Sequence, residues 1–93
     1  MLEFEWDENK NLSNIIKHGI SFDVAKFVFN DDNAIEIYDE LHSVDEDRYI
    51  IIGIVNKVLY VVYTVRNERI RLISARIANE TERRLYYDDK GVY

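Results

Sequence analysis

Three groups of side chains in this sequence have types and spacings suited to chemistry on a phosphate ester. Lys17 and His18 stand together just before Gly19. Histidine gains and loses a proton near neutral pH and is the natural proton-transfer side chain. Glu46 and Arg48 fall in the stretch HSVDEDR, which His42 opens. Thr64, Arg66, Arg69, Arg71 and Arg76 lie within TVRNERIRLISAR, and a guanidinium fork matches the oxygens of a phosphate. Each group also has a plain structural reading. Lys17 and His18 complement the negative end of a helix. His42, Glu46 and Arg48 make a solvated loop with a local ion pair. The arginines neutralise carboxylates from elsewhere in the fold. Residue types and spacing alone leave these alternatives open.

Other chemistries are excluded more firmly. There is no G-x-x-x-x-G-K-S/T phosphate loop and no G-x-S-x-G nucleophile turn. The chain has no cysteine and two histidines, His18 and His42, too far apart for a zinc motif. Asp31-Asp32-Asn33 lacks calcium-loop spacing. No metal and no cofactor are expected. Tyr49, Tyr60, Tyr63, Tyr86 and Tyr87 are interleaved with the basic residues, and such rings can stack unpaired bases or simply pack.

Charge is unevenly spread along the 93 residues. Residues 1–47 carry 13 acids against 3 Lys/Arg, and residues 48–93 carry 5 acids against 9 Lys/Arg, within a net charge of -6. The second half could meet an acidic partner, or the halves could neutralise one another. A -6 chain that binds a polyanion must do so through a local patch. The length suits one domain, 1–93. The start, MLEFEWDENK, lacks the basic and apolar regions of a signal peptide. The longest apolar run falls far short of the roughly 20 residues that span a bilayer. A cytoplasmic protein with no membrane association is expected.

The elements that must position these groups follow from periodicity. LEFEW alternates as a short strand. Asp7 caps a helix whose apolar face is Leu12, Ile15 and Ile16, with Gly19 just past its end. Ser21 caps a second helix bearing Phe22, Ala25 and Phe29. AIEIY, RYIIIGIV, VLYVVYTVR and RIRLISARIA read as strands, the last three joined by two-residue turns at Asn56-Lys57 and Asn67-Glu68. Asn79 with Glu82 forms a capping box for a final helix. The order is β-α-α-β-β-β-β-α, an α+β domain with a small antiparallel sheet packed by helices. A hairpin at Asn67-Glu68 sets Arg66 opposite Arg69, Thr64 opposite Arg71 and Val62 opposite Ile73. Arg66, Arg69, Arg71 and Thr64 then share one face, and Ser74 and Arg76 the other. Two arginines directly opposed call for an anion between them, from Glu68 or from the acidic first half.

The ordered series KHG followed by SF, E-x-R-x-x-x-x-G from Glu46 to Gly53, T-x-R at Thr64 and Arg66, R-x-I/L-S-A-R at Arg71 to Arg76, and E-R-x-x-Y at Glu82 to Tyr86 resembles the BrnT family over essentially the whole chain. The resemblance implies a RelE-like fold and an endoribonuclease toxin that inhibits translation by cleaving RNA. It also implies a cognate BrnA-type antitoxin, with operator DNA contacted only through the toxin–antitoxin complex. It marks His18 for proton transfer, and Lys17, Arg48, Arg66 and Arg76 for phosphate and transition-state stabilisation. Glu46 becomes a base or an orienting partner of Arg48, and Thr64, Arg69 and Arg71 RNA-binding residues. The reaction implied is attack of the RNA 2′-hydroxyl on the adjacent phosphate without a metal. The alternative is a non-catalytic module acting as co-repressor in an antitoxin–DNA complex.

Overall fold

The caps read from the sequence all form. In the computed structural model, which describes residues 2–88, the Asp7 carboxylate accepts from the Asn9 and Lys10 N–H groups at the start of helix α1 (Glu8–His18). Gly19 closes it in the left-handed region at φ 72°, its N–H donating to Ile15. Ser21 caps α2 (Phe22–Ala25), which tightens into a 3₁₀ turn over Lys26–Asn30. Asn79 and Glu82 exchange hydrogen bonds of 2.9 Å at the head of α3 (Glu80–Asp88). Residues 1 and 89–93 of the expected domain lie outside the described residues.

The strands are β1 (Phe4–Glu5), β2 (Ile35–Tyr38), β3 (Tyr49–Val55), β4 (Lys57–Arg66) and β5 (Arg69–Ile77), in the spatial order β1-β5-β4-β3-β2. Four strands form an antiparallel meander, as expected. The fifth, β1, runs parallel to β5, so the sheet is mixed. Lys57 pairs with Val55 and belongs to β4, which leaves Asn56 at the tip with φ 69°. The Asn67-Glu68 turn has φ 50° and 65°, the left-handed pair that a tight hairpin requires.

The β4–β5 register holds from Arg66↔Arg69 to Tyr63↔Leu72 and then slips by one residue, so that Val62 faces Ser74 and Tyr60 faces Arg76. The expected Val62–Ile73 pairing and the expected separation of faces are both overturned. A bulge at Ile73 returns Ser74 and Arg76 to the face that carries Thr64, Arg66, Arg69 and Arg71.

One sheet face packs beneath α1, α2 and the 3₁₀ turn, with Phe22, Ala25, Val28, Ile51, Val61 and Leu72 at its centre. On the other face α3 covers Ile50, Ile52 and Val58 with Tyr86. That cover ends near Val62, and beyond it the face is crossed by the 39–48 segment, with its 3₁₀ turn Glu40–His42, which buries Thr64. Gly53 has a packing reason to lack a side chain: a Cβ there would meet Val28 Cγ2 at 2.6 Å. Helix α1 departs from the expected orientation. Leu12, Ile15 and Ile16 are exposed, and the buried residues are Asn11 and Asn14. The reason is the short β1, which pairs only with Ile70 and Arg71 and leaves the rest of the β5 edge without a strand. Asn14 fills that gap: its Oδ1 accepts from Ala75 N–H at 3.1 Å and its Nδ2 donates to Ala75 C=O at 2.7 Å. A carboxamide thus stands in for the next strand.

Candidate active site

The segment from Asp39 to Arg48 links β2 to β3 across the end of the sheet that α3 leaves open. It is braced as a closed loop. Asp39 N–H donates to Arg48 C=O at 2.9 Å. The Ser43 hydroxyl donates to Asp39 C=O at 2.6 Å and accepts from Arg48 N–H at 2.8 Å. The Tyr38 hydroxyl donates to the Asp47 carboxylate, and the Thr64 hydroxyl, buried on β4, donates to Asp47 C=O. Side chains on such a loop are positioned in advance, which is what catalysis requires of it.

These restraints gather His42, Glu46 and Arg48 with Arg66 around a cleft of about 460 Å³. Arg66 makes two parallel hydrogen bonds of 3.0 Å to Glu46. Those bonds hold the Glu46 carboxyl below its usual range and raise Arg66. Glu46 is therefore a poor proton acceptor at neutral pH; its hydrogen bonds go to Arg66, and Arg48 acts on it as a nearby charge. The Arg48 guanidinium has no hydrogen-bond or ion-pair partner among the described residues. His42 Nδ1 lies 2.9 and 3.0 Å from the two Asp39 carboxylate oxygens. The cleft thus holds one cation ready for an anion, a second cation already oriented, and an imidazole with a fixed edge.

The remaining candidates are distributed around this cleft and away from it. Arg69 and Arg71 sit across the hairpin from Arg66 and Thr64. Arg71 bonds Glu5 at 2.9 Å, and Arg69 lies 3.7 Å from Glu3 and 4.0 Å from Glu5. Each of the opposed arginines therefore meets its own anion from the acidic first half, Glu46 at Arg66 and Glu3 and Glu5 at Arg69. Arg76 stacks on Tyr60 at 4.0 Å and forks onto Glu82 at 2.7 and 2.8 Å. It fastens α3 to the sheet, so the bulge restores its face without bringing it to the cleft. His18 lines a different, apolar cavity of about 600 Å³ with Ile15, Val24, Val55, Lys57 and Ile77. Lys17 lines a smaller one beside Ser74. Lys57 and Arg66 are the two ends of the ten-residue β4, about 30 Å apart at roughly 3.3 Å per residue. Lys17 and His18 line cavities other than the one that Arg48 and Arg66 line.

The residue that spacing alone passed over is Asp39, and with it the hold on the His42 imidazole. HSVDEDR reads as a solvated loop. The signal present in the sequence is an i,i+3 Asp–His pair at a turn, which carries weight only when Arg48 and Arg66 are seen beside it. Among the described residues, no three His, Asp or Glu side chains gather as metal ligands would.

Comparison with known proteins agrees with this architecture. The family model described as "Ribonuclease toxin, BrnT, of type II toxin-antitoxin system" matches residues 6–82. The chain is similar to the crystal structure of the Brucella abortus ribonuclease toxin, BrnT, with 26% identity and a TM-score of 0.66, over 86% of this chain and 100% of that one. No curated protein matches it.

Proposed function

The chain belongs to the BrnT family of ribonuclease toxins of type II toxin–antitoxin systems, and from that membership we propose that it is an endoribonuclease whose reaction centre is the Glu46–Arg48–Arg66 cleft. The 2′-hydroxyl of a bound RNA attacks the adjacent phosphate without a metal. Arg48 and Arg66 hold the non-bridging oxygens as charge builds on phosphorus. Translation is inhibited because its RNA is cut. Arg69 and Arg71 extend the cationic end of the sheet along the RNA backbone. The observation that carries this reading is Arg48: in a chain of net charge -6, its guanidinium forms no ion pair or hydrogen bond among the described residues and feels Glu46 only as a nearby charge, beside an arginine held in place by that same Glu46.

The antitoxin that the family implies is proposed to be a BrnA-type protein that covers this cleft, with operator DNA bound only through the complex. Among the described residues no helix is long and apolar enough to cross a membrane, and the site of action is proposed to be the cytoplasm.

A second reading, the non-catalytic co-repressor, draws support from one observation. Arg66, Arg69, Arg71 and Arg76 already hold carboxylates, as they would in a surface built for an acidic partner. Incubation of the pure chain with single-stranded RNA, with and without EDTA, separates the two. The catalytic reading expects cleavage that survives EDTA and falls about 100- to 1,000-fold in Arg48→Ala, the usual loss for one transition-state donor. Absence of cleavage by the folded chain, or full activity in Arg48→Ala, refutes the site. Strict dependence on a metal refutes the mechanism.

A further inference from the structure

Resting on the cleft just described, we propose that His42 is the proton-transfer group of the reaction, acting as general base through Nε2, and that Asp39 is its positioning residue. A carboxylate can only accept a hydrogen bond, so contacts of 2.9 and 3.0 Å from Nδ1 require the proton to sit on Nδ1. In the neutral ring Nε2 is then the acceptor, and it lies on the ring edge opposite the one that Asp39 holds. Asp39 is itself fixed: its side chain is 14% exposed, and its backbone N–H and C=O are bonded to Arg48 and Ser43. His42 is 66% exposed, so its free edge is open to substrate. The base, its orienting carboxylate and the two arginines therefore belong to one braced loop and the strand end beneath it.

A second feature of the cleft suits a nucleotide. Leu41 and Val44 line it while 87% and 83% exposed. Neither side chain belongs to the packed core, and both line the cleft together with the imidazole. Apolar side chains at the mouth of a cationic cleft fit the face of an unpaired base, which single-stranded RNA offers and a duplex hides. The substrate class is thus RNA with at least one unstacked nucleotide at the cut.

In the step itself, the bond from the 2′-oxygen to phosphorus forms and the bond from phosphorus to the 5′-oxygen breaks. The 2′-hydroxyl proton passes to His42 Nε2. The departing 5′-oxygen takes a proton from solvent, and the imidazolium returns its proton to solvent. The products are a 2′,3′-cyclic phosphate and a 5′-hydroxyl end, with no redox change and no co-reactant.

The test uses the full chain and a defined single-stranded RNA, with kcat and KM measured separately and the product ends identified. His42→Ala is expected to lower kcat about 100- to 10,000-fold with KM little changed. Asp39→Asn replaces the acceptor with an amide that can donate to Nδ1. It should lower kcat while long-range proton–nitrogen correlation spectra show the ring proton moved to Nε2, a change that a merely structural pair would not couple to turnover. Unaltered kcat in His42→Ala, together with inactive Arg48→Ala, overturns the role of His42 and leaves the cleft standing. Activity retained in Arg48→Ala overturns the cleft itself. Loss of cleavage in His18→Ala with none in His42→Ala moves proton transfer to the α1 end and overturns the proposal.

Discussion

Asn14→Ala is expected to destabilise the fold more than an exposed helical substitution can, because this side chain replaces a missing strand. Its amide makes three hydrogen bonds, to Ala75 N–H at 3.1 Å, Ala75 C=O at 2.7 Å and Ile20 C=O at 2.8 Å. Asn14 is 6% exposed and Ala75 0%. Truncation leaves three backbone groups without partners, at about 1–3 kcal/mol each. The small cleft of about 190 Å³ that Asn14 lines with Lys17 and Ser74 admits water to part of this site, so the lower end applies, about 3 kcal/mol in all. At 4–8 °C per kcal/mol for a domain of this size, Tm should fall by roughly 12–24 °C. Urea denaturation of wild type, Asn14→Ala and Asn9→Ala measures it. Asn9 lies on the same helix, is exposed, and its side chain makes none of these bonds, so its substitution should stay within about 0.5 kcal/mol. Asn14→Asp sharpens the test. It keeps the acceptor for Ala75 N–H but sets a carboxylate against two carbonyls, so its penalty should exceed that of alanine at neutral pH. A loss below about 1 kcal/mol in Asn14→Ala would refute the strand-mimic reasoning.

Two further predictions concern stability. Burial pushes the Glu82 carboxyl up, but the hydrogen bonds from Arg76 and from the Asn79 N–H outweigh it, and the group lies below its ordinary value of 4.5. A lowered folded value means that the stability it contributes is complete above pH 4.5 and is lost as pH falls through the folded value. Glu82→Gln should therefore cost about 1 kcal/mol at pH 7, discounted for the partly exposed Arg76, and the gap to wild type should narrow in urea melts as pH is lowered below 4.5; a gap that does not change with pH refutes it. Glu68 sits at φ 65°, where a non-glycine residue is strained by about 1 kcal/mol. Glu68→Gly should raise Tm by a few degrees without altering RNA cleavage, and a lower Tm would show that the turn is not strained.

How far the sequence reached depended on the range of each interaction. Caps, turn residues and strand periodicity act over a few positions, and Asp7, Gly19, Ser21, Asn67-Glu68 and the Asn79–Glu82 box all behave as their local chemistry requires. The orientation of α1 was illegible for the opposite reason. Leu12, Ile15 and Ile16 form the better apolar stripe, yet Asn14 turns inward because a strand 61 residues away in sequence lacks a neighbour on that edge. Polar satisfaction at a sheet edge overrode amphipathicity, and no window of the sequence contains both halves of that fact. The bulge at Ile73 is similar: one inserted residue returns Arg76 to the face of Arg66, and nothing in RLISAR announces it. It also shows why sharing a face is a weak criterion for sharing a site. Arg76 regained the face and remained with α3, held by Glu82 and Tyr60, while Arg48, outside every strand, reached the cleft through a loop pinned by Ser43 and Thr64. What assembles the candidate site is therefore the hydrogen bonding of residues 39–48, and substitutions that loosen that loop, such as Ser43→Ala, should impair catalysis while leaving the sheet and its core intact.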